Sequence, residues 1–270
     1  MSVTVLRKYL RDNRRGFLGW ALSITAVAAM YSSMWPVMGG NSGLAGAIDS
    51  FPEALREAFH LQDYGTAAGY FGSTVYGLLV PILLAVFAVS AGARAIAGDE
   101  EAGTLELVLA HPVGRVRLAV SRWLAVLSAI LLAGAVLLVV ELAIRVPAGF
   151  TALSTANLAA MTFQLVLFGC CFASIAFGIG AWTGRRTYAT VGGAYLTVVS
   201  YLGDSFLPQI KGLHWSQYLS PFHWYLGGEP LVNGIRWSHC ALLAGVGLIF
   251  AAIGIRGFNR RDIAQGGARD

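Results

Sequence analysis

Six long apolar runs constrain this chain more than any other feature, because each approaches the length needed to cross a lipid bilayer. An α-helix needs roughly 20 apolar residues to span a hydrocarbon core of about 30 Å. The runs cover about 17–38, 70–93, 123–144, 158–182, 188–207 and 239–255. Only 12% of the residues are charged, whereas soluble domains carry about 25%. The sequence therefore predicts an all-α, polytopic membrane protein with six transmembrane helices in one domain, residues 17–255.

Arginine and lysine are unevenly distributed between the two ends of the predicted spans. Of the 19 basic residues, all but four lie in the N-terminal segment, the connections after the second and fourth spans, and the C-terminal segment. The four exceptions are Arg56, Arg145, Lys211 and Arg236. By the positive-inside rule the basic side faces the cytoplasm. We therefore expect a multi-pass protein of the bacterial cell (inner) membrane, with both termini cytoplasmic and residues 256–270 as a cytoplasmic tail.

The N-terminal segment 1–16 predicts an amphipathic interfacial helix ahead of the first span. Val3, Leu6 and Leu10 recur at helical spacing, while five cations occupy the other faces. Such a helix lies on the inner leaflet, with its cations near anionic lipid headgroups. A disordered basic tail is one alternative. A cleaved secretory signal is another, although the apolar run continues past the small-residue string 26–29 that imitates a cleavage site.

Motifs that would indicate catalysis are absent from the sequence. A phosphate-binding loop of the G-x-x-x-x-G-K-[ST] type needs a lysine in that context, and neither Lys8 nor Lys211 has one. The five histidines form no H-E-x-x-H motif, and no G-x-S-x-G motif occurs. We therefore expect no catalytic residue, metal site or cofactor on this chain. The net charge of +5 is explained by membrane orientation, so no nucleic-acid partner is expected.

Few ionisable residues fall inside the predicted spans. Glu141 and Arg145 are four residues apart near the outer end of the third span. We interpret them as an interfacial salt bridge rather than a proton relay. Asp204, near the outer end of the fifth span, is interpreted as interfacial too. Pro81 lies inside the second run and predicts a kink there.

The cytoplasmic connection after the second span, residues 98–115, predicts a short helix with an acidic start. Asp99 is a candidate N-cap, and the acidic residues after it suit the positive end of the helix dipole. Leu105, Val108 and Leu109 lie on one apolar stripe, and Pro112 ends the helix. An acidic segment is unfavourable against an anionic inner leaflet. A protein partner therefore explains the acidic residues better than a helix resting on the bilayer does.

This connection resembles the E-E-x-x-G-T-L-E-x-L-L-x-x-P-x-x-R pattern of type-2 ABC transporter permeases, which are six-helix, drug-export-like membrane subunits. The matching residues are Glu100, Glu101, Gly103, Thr104, Leu105, Glu106, Leu107, Leu109, Pro112 and Arg115. Val108 stands where leucine is common, a mild departure. In that family the region forms the coupling helix that docks on the ATPase subunit. The resemblance therefore implies an ATPase-coupling role for these residues and for the preceding Asp99.

The last external loop is similar to the S-P-F segment, followed by P-L-x-x-G, that many drug-export-like members carry. Its two prolines divide the chain into short helical pieces, and its aromatic residues suit the headgroup belt. A re-entrant or surface helix pair that caps the outer end is predicted. An ordinary aromatic interface loop is the alternative. The predicted external-cap residues are Pro221, Phe222, Trp224, Glu229 and Pro230.

The resemblance implies a transport function rather than an enzymatic one for this chain. Such permeases pair with a second permease chain and with two copies of an ABC ATPase subunit, which binds the ATP and Mg²⁺. The substrate expected from apolar spans is an amphiphilic or hydrophobic drug, lipid or natural product. The resemblance to export subunits implies that it is moved outward. An intramembrane enzyme and a membrane anchoring or signalling subunit are the alternatives.

Overall fold

The computed structural model of the protein describes residues 2–39, 42–59, 61, 63–105 and 114–261. Most of these residues lie in helices, and no β-strand occurs within these ranges. The all-α, polytopic prediction is therefore confirmed. Five segments are long and apolar enough to cross a membrane. They are Val5–Met38, Ala67–Arg94, Arg115–Ile144, Thr155–Thr183 and Trp237–Arg260.

Short helices connect these long segments. The helices in chain order are α1 Ser2–Ser33, α2 Trp35–Met38, α3 Ser42–Asp49, α4 Glu53–Ala58, α5 Ala67–Tyr70, a π-helix Phe71–Leu79, α6 Val80–Arg94, α7 Ala97–Glu101, α8 Arg115–Ile144, α9 Thr155–Thr183, α10 Arg186–Ser205, two 3₁₀ helices Leu207–Gln209 and His214–Leu219, α11 Pro221–Leu226, α12 Pro230–Asn233 and α13 Trp237–Arg260.

The first helix is continuous where the sequence predicted a boundary. α1 runs from Ser2 to Ser33 without a break, so residue 16 does not separate an interfacial helix from the first span. The aromatic rings of Tyr9 and Phe17 lie 6.4 Å apart along one face, and Phe17 also contacts Phe87 of α6. Because these rings pack against other helices on both sides of residue 16, the helix axis continues in the same direction through that residue.

The second predicted span contains the π-helix, immediately before Pro81. In it the N–H of Val80 donates to the carbonyl of Val75, five residues earlier. The Tyr76 carbonyl would pair with residue 81 in this register, but proline has no N–H. The hydroxyl of Tyr225 donates to the Tyr76 carbonyl instead, at 2.9 Å. A side chain from the segment before α13 thus replaces the hydrogen bond that the proline removes.

Helix α9 lies at the centre of the bundle and is the most enclosed of the candidate spans, with 78% of its most apolar window buried. Small residues allow other helices to approach its backbone closely. A Cβ added to Gly92 of α6 would lie 3.1 Å from the backbone N of Phe177, and one added to Gly254 of α13 would lie 2.6 Å from Cα of Gly178. The core therefore forms around α9.

Helix α10, the fifth predicted span, is not among the five segments that are long and apolar enough to cross a membrane. Its 20 residues correspond to a length of about 30 Å at 1.5 Å per residue. Gly193 fits against Val89 of α6 and Ala176 of α9, so α10 packs alongside two candidate spans. Six crossings, with both termini on one side, remain an expectation.

Candidate functional site

The short helix α7 carries three consecutive acidic residues directly after the second candidate span. Its N-cap is Ile96, and Asp99 lies inside the helix, so the predicted N-cap at Asp99 is wrong. The helix starts earlier because the chain continues almost directly from α6. A turn follows α7, with Gly103 at φ +68°. There the backbone N–H and hydroxyl of Thr104 both donate to the Asp99 carbonyl, at 2.9 and 3.2 Å.

Asp99 forms an ion pair with a buried arginine of α8. Its Oδ2 lies 2.5 Å from Nη2 of Arg122, a residue that is only 4% exposed. The other terminal nitrogen of Arg122 donates to the Ala95 carbonyl at 2.9 Å. The guanidinium carbon also lies 5.5 Å from the centre of the Tyr9 ring. The cation is thus balanced by charge, hydrogen bonding and a π face, as a buried arginine requires.

Glu100 forms a bidentate ion pair with Arg261, the residue at the end of α13. The Nε of Arg261 also donates to the Ala181 carbonyl of α9 at 3.0 Å. The carbonyl of Arg261 accepts from Nη1 of Arg115, the first residue of α8, at 2.8 Å. One acidic side chain therefore connects α7 to α13, and the arginine that it binds extends the contact to α8 and α9.

Glu101 binds the backbone at the start of α10. Its Oε1 accepts from the backbone N–H of Arg186 at 2.8 Å, and Arg186 is the first residue of α10. The first N–H groups of a helix have no partner within the helix, and a carboxylate there also meets the positive end of the dipole. Glu101 thus fixes the entry into α10.

Gly184 completes the cluster because it leaves room for the ion pair. It ends α9 with φ +72°, and its N–H bonds to the Gly180 carbonyl. A Cβ at Gly184 would lie 2.6 Å from Oε1 of Glu100 and closer still to the guanidinium of Arg261. The left-handed backbone and the adjacent salt bridge therefore both require glycine. We call Asp99, Glu100, Glu101, Arg122, Gly184 and Arg261 the helix-end cluster.

Comparison with known protein families identifies the family of this chain. Residues 3–263 match the family described as ABC-2 family transporter protein. The chain belongs to this family. The match covers nearly the whole chain, so the protein is the membrane subunit, or permease, of an ABC transporter. No curated protein matches the chain.

The predicted coupling residues lie in different structural positions in the permease. The three carboxylates and Arg115 lie together, as described above, while Gly103 and Thr104 form the turn. Leu105 is 1% exposed and packs into the hydrophobic core. Glu106, Leu107, Val108, Leu109 and Pro112 lie outside the described residues.

Sequence reasoning missed the partners of these acidic residues. Arg122 and Arg261 were counted only as charges that set the topology, and Gly184 was not considered. A signal for the glycine was present, since glycine directly after a long apolar helix is typical of a left-handed cap. Nothing in the sequence indicates that Glu100 meets Arg261, because 161 positions separate them.

In the segment before α13, the prolines are placed as predicted but the aromatic residues are not. Pro221 and Pro230 occupy the first positions of α11 and α12. Phe222 is fully buried and Trp224 is 8% exposed, so the prediction that these rings lie in a headgroup belt is wrong. The Phe222 ring lies 4.7 Å from that of Phe168 in α9. The helical turn directs these rings into the protein core, where they bury more apolar surface.

Hydrogen bonds attach α11 firmly to the bundle. Ser220 caps the helix by accepting from the Phe222 N–H, and its hydroxyl donates to the Ser200 carbonyl of α10 at 2.6 Å. The Trp224 indole donates to the Tyr218 carbonyl at 2.8 Å. Glu229, the remaining predicted cap residue, is exposed and precedes α12 with φ +49°. The segment is therefore a folded part of the permease rather than a loose loop.

The predicted interfacial salt bridge between Glu141 and Arg145 does not form. Glu141 is completely buried and accepts from Ser32 of α1. The guanidinium of Arg145 donates instead to the carbonyls of Thr151 and Leu153, both at 2.6 Å. The two side chains diverge because Arg145 lies at the C-cap of α8, where the following turn offers it backbone acceptors.

Proposed function

We propose that this permease is part of an ATP-driven exporter, in which a separate ABC ATPase subunit acts on residues 98–115 and the helix-end cluster passes the movement to the spans. One observation carries this proposal. The three consecutive carboxylates of α7 bind three different helices, α8, α13 and α10. A force applied next to α7 would therefore reach several spans at once.

Coupling of this kind requires rigid connections between the docking segment and the membrane domain. The described chain resumes at residue 114, directly before α8. Arg115, the first residue of α8, donates a hydrogen bond to the carbonyl of Arg261 in the cluster. The segment is thus flanked on both sides by residues bound to helix ends. Because ligand binding shifts a conformational equilibrium only through different affinities for the two states, the ATPase must contact the segment differently before and after hydrolysis.

The proposed partners and cofactors follow from the family. Membership of the ABC-2 transporters implies association with an ABC ATPase subunit. We propose two ATPase copies, with ATP and Mg²⁺ bound on them, and a second permease chain, identical or related. The substrate is proposed to be amphiphilic or hydrophobic, because the candidate spans are apolar and few buried charges interrupt them. Outward movement is proposed from the resemblance to export subunits alone.

Co-purification tests the central proposal. Tagged permease is isolated in mild detergent from its native host, the bound proteins are identified by mass spectrometry, and ATP hydrolysis is measured. We expect an ATPase subunit in stoichiometric amount. A permease that purifies alone and in folded form, without ATPase activity, would overturn the proposal and favour an enzymatic or anchoring role.

A charge swap tests the transmission route. Glu100→Arg alone places two cations together, whereas combining it with Arg261→Glu restores an ion pair of reversed polarity. We expect the single variant to lose substrate-stimulated ATP hydrolysis and the double variant to regain most of it. Glu53→Arg on the external helix α4 is the control and should have no effect. If the double variant elutes normally and binds the ATPase but does not regain ATP hydrolysis, Glu100 acts by another route.

A further inference from the structure

An open groove of about 780 Å³ lies between the start of α1 and the first turns of α8. This volume is within the range of about 300–1,000 Å³ that small-molecule sites occupy. Arg117 is the only charged residue among the described residues that line it. The apolar residues of the lining include Leu6 of α1 and Val116, Val120 and Leu124 of α8. We call it the α1–α8 groove.

The groove follows two helices that lie side by side and run in the same direction. Near their starts, the guanidinium carbon of Arg122 lies 5.5 Å from the centre of the Tyr9 ring. Near their ends, the hydroxyl of Ser32 bonds to the carboxyl group of Glu141. Both helices belong to candidate membrane spans. The groove is therefore parallel to two candidate spans, at the end where both of them begin.

Exposed leucines continue the apolar surface beyond the groove. On α8, Leu131 follows Leu124 by two helical turns and is 54% exposed. On α1, Leu18 is 49% exposed and Leu22 is 62% exposed. Exposed apolar side chains on a membrane span meet acyl chains rather than water. An amphiphile in the groove can therefore extend its chains along the same two helices.

Cations without a protein counter-charge border the groove. The row of every fourth residue that starts at Leu6 continues through Leu10 to Arg14. Arg14 and Arg117 are exposed, and neither forms an ion pair with another described residue. α1 contains five cations and a single acidic residue, Asp12. Asp12 is two positions from Arg14 and therefore projects from a different face.

Helix α8 uses its two neighbouring arginines differently. Arg122 is buried, and its charge is balanced by Asp99 in the helix-end cluster. Arg117 lies five residues earlier, on another face of the helix, and lines the groove. The positive charge of Arg117 is therefore available to a ligand, whereas that of Arg122 is used within the fold.

We propose that the α1–α8 groove binds an anionic phospholipid, such as phosphatidylglycerol, from the leaflet that surrounds the start of these helices. The phosphate binds Arg117 and Arg14, because the planar guanidinium matches phosphate oxygens. The acyl chains lie against the apolar lining and continue towards Leu131. Basic pockets between membrane helices commonly bind anionic headgroups in this way. The proposal concerns lipid binding alone and does not depend on ATP-driven export.

Two lipids with identical chains and different headgroup charge test the proposal on the unaltered protein. Full-length permease, freed of lipid in detergent, is titrated with dioleoyl phosphatidylglycerol and separately with dioleoyl phosphatidylcholine, and bound copies are counted by native mass spectrometry. We expect the Kd for phosphatidylglycerol to be at least roughly fivefold lower. Equal Kd values for the two lipids would overturn the proposal.

A soluble headgroup separates the contribution of the charge from that of the chains. Glycerol 3-phosphate carries the anionic phosphate without acyl chains, so we expect it not to displace bound phosphatidylglycerol at matched concentration. Displacement would show that the apolar lining takes no part in binding, which would overturn the assignment of the groove.

Neutral substitutions then locate the site. Arg14→Gln and Arg117→Gln are each expected to raise the Kd for phosphatidylglycerol roughly fivefold and to leave the Kd for phosphatidylcholine unchanged. Arg256→Gln is the matched control, because it removes an exposed arginine near the end of α13, outside the groove lining. Equal effects of all three substitutions, or no effect of any, would exclude the groove as the binding site.

A protein partner seated in the groove is the competing outcome. In that case Arg117→Gln would weaken retention of a co-purifying subunit and leave the Kd for phosphatidylglycerol of the isolated permease unchanged. This result would overturn the lipid assignment. Weaker lipid binding with unchanged retention of the partner would support it.

Discussion

The hydroxyl of Ser32 in α1 lies 2.9 Å from each carboxyl oxygen of Glu141 in α8. Both residues are completely buried. A serine hydroxyl carries one hydrogen and can donate only one of these two hydrogen bonds. The second contact is a hydrogen bond when the carboxyl group carries a proton and donates to the serine oxygen. No described residue forms an ion pair with Glu141, and an ionised carboxylate without a cation would be costly to bury.

We therefore predict that Glu141 is a neutral carboxylic acid at neutral pH. Infrared difference spectra between the unaltered permease and Glu141→Gln should contain the carbonyl band of a protonated carboxylic acid. Ser32→Ala should shift this band, because it removes the hydrogen-bond partner. A difference spectrum that contains only ionised carboxylate bands would contradict the prediction.

The hydrogen bond between Tyr225 and the Tyr76 carbonyl should depend on Pro81. Burial raises the pKa of Tyr225 well above its ordinary value, so the hydroxyl keeps its proton and donates at any ordinary pH. Tyr225→Phe should lower the free energy of unfolding by about 1–2 kcal/mol, since it leaves a buried carbonyl without a donor. Pro81→Ala supplies an N–H at the missing position.

The double variant provides the control for this prediction. With Pro81→Ala present, a backbone N–H of the helix can bond to the Tyr76 carbonyl. Tyr225→Phe should then lower the stability in thermal unfolding by less than it does in the unaltered protein. An equal cost in both backgrounds would show that the hydroxyl does not compensate for the proline.

Arg122 and Asp99 should contribute unequally to stability. Arg122 is buried and also donates to the Ala95 carbonyl, whereas the side chain of Asp99 is 36% exposed. Lysine cannot reproduce the planar guanidinium, so Arg122→Lys should destabilise the fold by about 1–2 kcal/mol. Asp99→Asn should cost less than about 1 kcal/mol. The reverse order in thermal unfolding would contradict this assignment.

The apolar pattern predicted most of the fold because length and hydropathy are local properties of a sequence. Five of the six predicted spans correspond to long apolar helices. Helix α10 is the exception, and its polar and small residues pack against α6 and α9. The continuity of α1 could not be predicted, because it depends on the contact of Phe17 with Phe87, 70 positions along the chain.

The candidate site was predicted only in part, since its partners are distant in sequence. The acidic residues of α7 were identified from a motif, but the motif does not show that they bind Arg122, Arg261 and the start of α10. Likewise, the sequence spacing of Glu141 and Arg145 suggested a pair, while the fold offered each a different partner. Local spacing indicates which residues could meet, and tertiary packing decides which do.

Substitution of Gly184 should test the helix-end cluster through a residue that has no charge of its own. Gly184→Ala forces a Cβ into the space beside Glu100 and Arg261 and places alanine at φ +72°. The backbone strain alone costs about 1–2 kcal/mol. We expect a lower unfolding temperature and reduced coupling of ATP hydrolysis to transport.

Gly245 in α13 is the matched control, because a Cβ added there meets nothing within 4 Å. Gly245→Ala should be neutral or slightly stabilising, since alanine favours a helix over glycine by about 1 kcal/mol. The Gly184→Ala cost should also shrink when Glu100→Gln has already weakened the ion pair, because the two changes act on one contact. Additive costs would mean that Gly184 serves only the helix end, and that the ion pair can adjust around a side chain at that position.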